Sequence, residues 1–473
     1  MAIRVGAFRR TSVVSAASSV FAGWALLLAA CAKTAQDKTG DTTSANTVQA
    51  AAAAACATDN GGITLPPGFC ATVFTDSVGH ARHIAVAENG DVYINTWSGR
   101  YFTGPVHPGG FIVALRDTNN DGKADVVKRF GTSPGAKSEG GTGLAIYHGA
   151  VYAEEGDTIT KRIVRYALSR DSLGPSTAQS EIIVDGLPGN GEHPMHPFAI
   201  DGNGNMYIDI GSATNACQVK NRTAGSRGQK PCAELQTRAG LWKYNANKTN
   251  QRFSASERYA TGIRNGEGIA FDGTGQLYST QHGRDQLFEM WPKLYTAEQG
   301  QNQPSEEVLR IEEGGDYGWP YCYHDYTQGK LVQSPEYGGD GKAVGDCATR
   351  KEPAAYFPAH WAPNGLVFYN GGQFPAQYKG GALVAFHGSW NRAPGPQGGY
   401  KVVFVPFSGG KPTDPAKFET FADGFVGGPV GVDATDKAKH RPVSMAVAPD
   451  GSLFITDDRG GRVWKVVYRG TAK

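Results

Sequence analysis

The chain has 473 residues, of which 46 are basic and 44 are acidic, for a formal net charge of +2. This length permits one large domain or two ordinary ones, and the near balance of charge gives no reason to expect nucleic-acid binding. Sixty-four glycines, 26 prolines and 10% aromatic residues suit short strands and tight turns better than long helices, so we expect an all-β fold.

The first 30 residues have the pattern of an export signal. Three arginines in MAIRVGAFRR precede an uncharged segment that ends in LAA, directly before Cys31. A basic segment, an apolar segment and small residues before a cleavage site are typical of secretory signals. The sequence LAAC resembles a bacterial lipoprotein signal, which would make Cys31 the lipidated first residue. An uncleaved membrane anchor is the alternative, because a segment of this length can span a bilayer.

The region after the signal predicts a flexible tether. Residues 32–55 are small and polar with almost no large apolar side chain, a composition that does not bury enough surface to fold. We therefore expect a tether over residues 31–60 and one folded domain over residues 61–473. The expected location is the periplasm or the cell envelope, with contact to the membrane through the lipid anchor only.

Six cysteines follow Cys31, and an even number predicts disulfides in an exported chain. They fall into three sequential pairs with short intervals, although six cysteines allow many other pairings. The expected bonds are Cys56–Cys70, Cys217–Cys232 and Cys322–Cys347. The sequence has no C-x-x-C-H segment for an attached haem and no C-x-x-C segment for structural zinc.

One pattern recurs along the chain, namely an apolar strand, a turn rich in Gly with Asn or Asp, and a second apolar strand. The copies are HIAVAENGDVYIN, GLAIYHGAVYAE, PFAIDGNGNMYID, GIAFDGTGQLYST, MAVAPDGSLFITDD and the looser GLVFYNGGQFPAQYKGGALVAF. Each is a hairpin signal with alternating faces. Six hairpins at irregular intervals predict a six-bladed β-propeller with four-stranded blades, which binds ligands at one mouth of its central channel. A β-sandwich with an extra domain is the alternative.

The segment RDTNNDGKADVVKRF has oxygen-bearing side chains at alternate positions. Asp117, Asn119, Asp121 and Asp125 surround a glycine at position 122, a pattern that suits calcium. The twelfth loop position lacks glutamate, which excludes a complete EF-hand, and the flanking residues predict strands. The alternative is an Asx-rich turn without metal. In both cases the role is structural.

Several short motifs together resemble one known family. GIRNGEGIAF places Arg264 and Asn265 before a predicted strand, and QHGRDQL places Gly283 and Arg284 after the next one. With YGWP, HGSWNR and VAPDGSLFITDD, the chain resembles the sorbosone dehydrogenase and soluble glucose dehydrogenase family over about residues 65–467. Members of that family are six-bladed propellers that use pyrroloquinoline quinone and calcium. The resemblance implies an exported quinoprotein that oxidises an aldose or aldosone and passes electrons to a separate acceptor.

The same resemblance implies a role for one of two neighbouring histidines. In EHPMHPFAIDGNGNMYI, the family's general base matches His193 and not His196. It would take the proton of the sugar's C1 hydroxyl as hydride leaves for the quinone. Histidine suits this role because its ordinary pKa lies near the working pH. The alternative is a histidine on a surface loop.

Further residues match the family's cofactor site. Arg264 corresponds to the arginine that stabilises charge on the quinone oxygen, and Asn265 to a neighbouring cofactor ligand. The backbone carbonyls of Gly283 and Arg284 match those that hold the cofactor's calcium. Arg441 corresponds to an arginine that binds cofactor carboxylates, for which the guanidinium fork is well shaped. Arg392, beside Asn391, stands near the family's cofactor-binding lysine and is the remaining candidate.

Three positions depart from the family pattern. Ser212 stands where the glucose branch has an aspartate that orients the base, and Val443 replaces a second carboxylate-binding arginine. Asn391 occupies the lysine position. These departures keep open a non-catalytic propeller that binds sugar or protein, and less readily a calcium-dependent lactonase.

Large aromatic residues and histidines near predicted loop clusters add pocket candidates, although aromatic residues of this size are often core residues. They are Trp97, Trp319, Trp390, His282, His360 and His387.

Overall fold

A computed structural model of the protein describes residues 56–98, 109–131, 139–392 and 394–470. The predicted export signal, Cys31 and residues 32–55 lie outside the described residues, and the predictions for them stay untested. Regular structure within the described ranges is mostly strand, and no helix there is long and apolar enough to cross a membrane.

The described strands form six blades, each a sheet of four antiparallel strands. The first strand in the chain, β1 (Phe69–Thr75), belongs to the last blade. Blade 1 contains β2 (Ala81–Val86), β3 (Val92–Thr96), β4 (Ile112–Arg116) and β5 (Val126–Phe130). Blade 2 contains β6 (Leu144–Tyr147), β7 (Ala150–Gly156), β8 (Thr160–Ala167) and β9 (Glu181–Pro188). Blade 3 contains β10 (Phe198–Ile200), β11 (Asn205–Ile210), β12 (Gly240–Asn245) and β14 (Arg258–Thr261), and the short β13 (Gln251–Arg252) pairs in parallel with β9.

The second half of the chain continues the same arrangement with larger insertions. Blade 4 contains β15 (Ile269–Phe271), β16 (Leu277–Gln281), β17 (Glu306–Arg310) and β20 (Ala355–Phe357), with the inserted hairpin β18 (Cys322–Asp325) and β19 (Lys330–Gln333). Blade 5 contains β21 (Pro363–Phe368), β22 (Ala382–Phe386), β23 (Lys401–Val405) and β26 (Glu419–Ala422), with the hairpin β24 (Phe407–Ser408) and β25 (Lys411–Pro412). Blade 6 contains β27 (Pro442–Val447), β28 (Leu453–Asp457), β29 (Val463–Tyr468) and β1.

Helices in the described part are short. The α-helices are α1 (Leu287–Met290), α2 (Ala297–Asn302) and α3 (Ala434–Lys437). Single 3₁₀ turns cover Asn60–Gly62, Ala233–Gln236, Ala255–Glu257, Pro335–Tyr337, Gly345–Thr349 and Ala376–Tyr378.

The inner strand of each blade contacts the inner strand of the next, and β27 contacts β2 to close the ring. Each of the six repeated hairpins forms the two inner strands of one blade, so the predicted six-bladed propeller is confirmed. The hairpin turns depend on side-chain capping. In blade 3 the Asp201 carboxylate accepts from the backbone N–H groups of Asn203 and Asn205, and Gly204 provides the φ of +82° that the turn requires.

The core lies between the blades. Every residue of β7, β22 and β28 is buried, because both faces of these middle strands pack against neighbouring blades.

The ring is closed by strands from the two ends of the domain. β1 pairs antiparallel with β29, and Phe69 lies opposite Tyr468. Residues 56–60, the last part of the predicted tether, are attached to β1 in the structure. The Cys56–Cys70 disulfide joins them, and the Ala57 N–H donates to the Ala71 carbonyl at 3.1 Å.

All three predicted disulfides are present, namely Cys56–Cys70, Cys217–Cys232 and Cys322–Cys347. The second lies in residues 211–239 between β11 and β12, and the third lies in the insertion between β17 and β20. The first of these insertions supplies Ser212, Asn215 and Arg222, which contact residues of the site described next.

Candidate active site

The ends of inner strands converge at one mouth of the channel. In an antiparallel hairpin, the residues before the first strand and those after the second strand lie at the same edge. His193 precedes β10, Arg264 precedes β15 and Arg441 precedes β27, whereas His282 follows β16 and His387 follows β22. All five residues line one cavity of about 440 Å³.

His193 is almost fully buried at the wall of this cavity, with 9% of its surface exposed. Its Nδ1 lies 2.9 Å from the Ser212 carbonyl oxygen and 3.0 Å from Ser212 Oγ. A carbonyl oxygen only accepts, so Nδ1 carries the proton and Nε2 keeps its lone pair. Burial, together with the positive charge of Arg264, lowers the pKa of His193 well below its usual value. The ring is therefore a neutral base at neutral pH.

Arg264 is held rigidly beside His193. Its Nε donates to the Asn215 carbonyl at 3.0 Å, and Nη2 donates to Asn215 Oδ1 at 2.9 Å and to Asp285 Oδ2 at 3.0 Å. Nη1 donates to the Gly283 carbonyl at 3.0 Å. Four of the five guanidinium N–H groups are thus used within the protein, so the group is a fixed cation with one donor left for a ligand.

Asp285 connects Arg264 to a second arginine. Burial acts to raise the pKa of Asp285, but Arg264 and Arg222 outweigh it and lower the pKa below its usual range. Arg222 donates to Asp285 Oδ2 at 2.8 Å and to both carboxylate oxygens of Glu192 at 2.9 and 2.7 Å. Glu192 directly precedes His193. Arg222 therefore links the segments that carry His193 and Arg264, and it lies in the loop that the Cys217–Cys232 disulfide closes.

Arg441 contrasts with Arg264 because it is only partly buried and forms no ion pair with a carboxylate in the described residues. Its Nε donates to the His387 carbonyl at 3.0 Å, Nη2 donates to the Gly388 carbonyl, and the guanidinium lies 5.4 Å from the ring centre of Tyr400. Within the described residues no acidic side chain forms an ion pair with it. Burial lowers the pKa of Arg441. A guanidinium in this state fits an anionic ligand such as a carboxylate.

The turn after β16 offers oxygen atoms to a metal. Glu306 accepts from the Gly283 N–H at 3.0 Å and the Ala362 N–H at 3.3 Å, and burial raises the pKa of Glu306 to about 8. The Gly283 carbonyl, a predicted calcium ligand, has one lone pair engaged by Arg264. Carbonyl and carboxylate oxygens are the donors that Ca²⁺ takes, so the chemistry of this turn fits calcium. The described residues contain no cluster of three or more His, Cys, Asp or Glu side chains with metal-binding geometry.

His387 is a second histidine with catalytic geometry at this cavity. Its Nε2 lies 2.8 Å from Asp458 Oδ1, and Arg82 donates to Asp458 Oδ2 at 2.8 Å and to Glu267 at 3.1 Å. A neutral ring that donates from Nε2 keeps its lone pair on Nδ1, which has no hydrogen-bond partner among the described residues. Four histidines line the cavity, and of these only His387 is paired with a carboxylate.

The departures from the family pattern have distinct surroundings. Ser212 contacts His193 as described, and its Oγ donates to the Thr214 carbonyl at 2.7 Å. Asn391 lines the cavity and donates to Asp285 Oδ1 at 2.9 Å. Val443 is fully buried on β27.

Two of the predicted cofactor and calcium residues place their side chains outside the large cavity. Arg392 donates to the carbonyls of Gln301 and Ala359 at 3.2 and 3.1 Å and does not line the cavity. The Arg284 side chain pairs with Glu336 and lines a separate, water-sized space. By contrast, the cavity brings together His193, Arg264, Asn265, Gly283 and Arg441.

The aromatic candidates separate in the same way. Trp390 lines the cavity and is 55% exposed, and Trp97 lines it while buried. Trp319 does not line it, since its indole donates to the Asn215 carbonyl at 3.0 Å in the interior. His282 and His360 both line the cavity.

The predicted calcium loop forms the turn between β4 and β5. Asp117 accepts from the N–H groups of Asp121 and Gly122, Asn119 also accepts from the Asp121 N–H, and Asp125 accepts from Thr118. The carboxylates therefore cap a turn, and the flanking residues are strands as predicted. Calcium at this loop stays a prediction.

Sequence reasoning did not single out several residues of this site. Arg222, Asn215 and Asp285 hold Arg264, and Arg82 and Asp458 hold His387. Asp285 lies within QHGRDQL and Asp458 ends VAPDGSLFITDD, so membership of these motifs was a usable signal. Arg222 lies in an irregular loop whose sequence contains no such signal.

Comparison with known proteins identifies the family. The model of the TrAA12-like family matches residues 63–469. The chain belongs to the TrAA12-like family. The match and the relatives below confirm the resemblance to propellers that use pyrroloquinoline quinone.

Relatives of this TrAA12-like chain include two named dehydrogenases. It is 30% identical over 163 residues to a pyrroloquinoline quinone-dependent pyranose dehydrogenase of Coprinopsis cinerea, covering 31% of this chain and 21% of that one. It is 23% identical over 344 residues to a pyrroloquinoline quinone-dependent sugar dehydrogenase of Hypocrea jecorina, covering 68% and 74%. An uncharacterised protein of Borreliella burgdorferi is 32% identical over 223 residues, covering 46% and 51%. The match thus spans about half or less of two of these relatives.

Solved structures share the fold of this TrAA12-like chain. A family AA12 protein of Trichoderma reesei, solved with calcium, superposes with a TM-score of 0.65 at 18% identity, covering 86% of this chain and 97% of that one. The holo pyrroloquinoline quinone domain of the Coprinopsis pyranose dehydrogenase gives 0.64 at 19% identity, covering 86% and 97%. The soluble aldose sugar dehydrogenase of Escherichia coli gives 0.54 at 16% identity, covering 85% and 100%.

Proposed function

We propose that the protein is an oxidoreductase that oxidises an aldose or aldosone with pyrroloquinoline quinone and calcium. The observation that carries this proposal is Arg441, a partly buried guanidinium without an acidic ion-pair partner in the described residues, in the same cavity as the neutral base His193. The names of the Coprinopsis and Hypocrea relatives support this cofactor and a sugar substrate.

Arg441, Arg264 and Asn265 would hold the cofactor. Arg441 offers its unused guanidinium edge to a carboxylate, and Arg264 offers one N–H and a fixed charge. Calcium would lie at the carbonyls of Gly283 and Arg284. When bound, the quinone supplies the two-electron acceptor for the hydride that leaves the sugar carbon.

The chain's own contribution to the chemistry is proton transfer. We assign His193 Nε2 to accept the hydroxyl proton of the sugar, because Ser212 fixes the proton on Nδ1 and leaves Nε2 with its lone pair. His387 is the alternative acceptor on account of its pairing with Asp458. Electrons would then leave to a separate protein or small acceptor.

The proposed location is an exported, cell-envelope lipoprotein. Three disulfides in the described residues support an oxidising compartment, and the LAAC sequence at Cys31 supports lipid attachment.

Titration with the cofactor tests the proposal. The chain from Cys56 onward would be mixed with pyrroloquinoline quinone and CaCl₂, and binding followed by quenching of tryptophan fluorescence. We expect saturable binding that Arg441→Met weakens about 10- to 100-fold, since it removes charge-assisted hydrogen bonds. Arg392→Met is the matched control and should bind nearly as the unchanged protein does. Absence of saturable binding in the folded protein would favour a non-catalytic, sugar-binding propeller.

Reduction of the bound cofactor then tests the enzyme. A panel of aldoses and aldosones would be added while cofactor absorbance is recorded, with His193→Ala and His387→Ala measured in parallel. Loss of reduction in His193→Ala with retained cofactor binding assigns the base to His193. The reverse result assigns it to His387.

A further inference from the structure

A second cavity of about 350 Å³ shares no lining residue with the catalytic one. Its wall includes Lys230, Tyr321, Gln333, Tyr337, Asp346 and Arg350. These residues come from the two disulfide-containing insertions, and neither the fold nor the proposed chemistry requires a cavity between them.

The walls of this cavity are held in place. Cys322 and Cys347 both line it and are bonded to each other, and the Cys232 N–H donates to Tyr321 Oη at 2.9 Å. The Gly228 N–H donates to the Glu336 carbonyl at 3.0 Å, and Gly228 packs so closely on the Tyr337 ring that a side chain at this position would clash with it. The cavity is therefore preformed, as small-molecule sites usually are.

Several polar groups in the cavity are not used by the protein. Within the described residues, Lys230 and the carboxylate of Asp346 make no hydrogen bond or ion pair. Arg350 pairs with Asp316 through Nη1, and its buried Nε has no hydrogen-bond partner among the described residues. The cavity therefore offers hydrogen-bond donors on the cationic Lys230 and Arg350 and an acceptor on the anionic Asp346.

Two aromatic rings accompany these groups. Tyr321 and Tyr337 lie edge to face with ring centres 4.8 Å apart, and both are partly exposed. An apolar ligand would leave Lys230 and Asp346 unmatched, and a phosphate would meet the Asp346 carboxylate. A neutral polyhydroxy ligand matches all of these groups, because its hydroxyls both donate and accept while its C–H face packs on aromatic rings.

We propose that this cavity is a second saccharide-binding site, separate from the catalytic cavity. This proposal rests on the proposed function in one respect, namely that saccharides are the ligands of this protein. A carbohydrate with several sugar units would be retained here independently of the unit that is oxidised.

Binding to the protein without cofactor tests this site. Saturation-transfer difference NMR would be recorded on the chain from Cys56 onward, without pyrroloquinoline quinone or calcium, using neutral mono-, di- and trisaccharides of glucose, galactose and xylose. The test variant is Lys230→Ala/Asp346→Ala, because both residues are exposed and their loss should leave the fold intact. Lys248→Ala, at an exposed position outside both cavities, is the matched control. Trp390→Ala is measured in parallel to report binding at the catalytic mouth.

We expect millimolar or tighter binding of at least one saccharide, weakened at least tenfold by the double variant and unchanged by Lys248→Ala. Binding that Trp390→Ala abolishes and the double variant retains would place it in the catalytic cavity and overturn the proposal. Absence of any saccharide binding would overturn it as well. Because no cofactor is present, failure of the proposed dehydrogenase activity would leave this result unaffected.

Discussion

Replacement of Ser212 by aspartate puts a carboxylate against the proposed base. Ser212 Oγ lies 3.0 Å from His193 Nδ1. At an effective dielectric constant of about 20, opposite charges about 4 Å apart attract by about 4 kcal/mol, which corresponds to an upper bound of about 3 pKa units. Neighbouring charges commonly shift a pKa by about 1–3 units. We therefore expect the pKa of His193 to rise by about that amount from its lowered value.

The direction of the effect on activity follows from the sign of this shift. A higher pKa means that His193 becomes protonated, and so loses its function as a base, at a higher pH. The acid limb of kcat/KM should then move upward in Ser212→Asp, while Ser212→Asn, which adds no charge, should leave it nearly in place.

Two measurements separate the steps of the reasoning. NMR titration of the His193 imidazole in the protein without cofactor reports its pKa directly, and the pH dependence of kcat/KM reports the catalytic base. An unchanged His193 pKa would refute the contact with Ser212. A raised His193 pKa with an unmoved acid limb would refute His193 as the base and favour His387.

Three further predictions concern other parts of the site. Arg222→Met should lower the free energy of unfolding by about 2–4 kcal/mol, because two partly buried carboxylates lose a shared partner. Urea denaturation measures this change, and Arg252→Met, at a side chain that is 82% exposed, is the control. Equal effects of the two substitutions would contradict the linking role of Arg222. Burial raises the pKa of Glu307 from 4.5 to about 8, so between these two pH values the folded state retains a proton that the unfolded chain releases. The free energy of unfolding should therefore fall as pH rises through this range, by up to about 1.4 kcal/mol per pH unit. Glu307→Gln should flatten the dependence of Tm on pH whereas Glu257→Gln at an exposed turn should not, and an unchanged slope would show that Glu307 is ionised in the folded protein. Trp390→Ala should raise KM for the sugar about tenfold with little change in kcat, as expected when an aromatic platform contributes about 1–2 kcal/mol of uniform binding, and a fall in kcat alone would contradict this role.

The fold could be predicted because its repeated unit is visible in the sequence. The inner hairpins alternate apolar residues around Gly-containing turns, and the turn at Asp201 shows why that chemistry marks them. Short strands outside the four-stranded blades, such as β13 and β24, carry no such signal, because they have two residues each and depend on tertiary pairing.

The site could be predicted only where its residues directly flank the inner hairpins. His193, Arg264 and Arg441 each precede an inner strand, and register along the strand fixes their position at the mouth. Arg222 reaches the same place from an irregular loop whose path depends on a disulfide and on tertiary contacts. Arg392 shows the opposite limit, since it is adjacent to Asn391 in sequence and yet only Asn391 lines the cavity.

The pairing of β1 with β29 determines when the folding of this protein can be completed. Among the described strands, β1 is the first to be synthesised, and its partner β29 is the last, so β1 stays unpaired until nearly all of the domain has followed. Such distant pairing slows folding, and an unpaired edge in the meantime is a template for association with other chains. Because the cavity walls come from several blades, the proposed catalytic residues assemble only when the ring closes. A chain truncated within β29 would therefore lose its activity together with its fold, although every predicted catalytic residue would still be present.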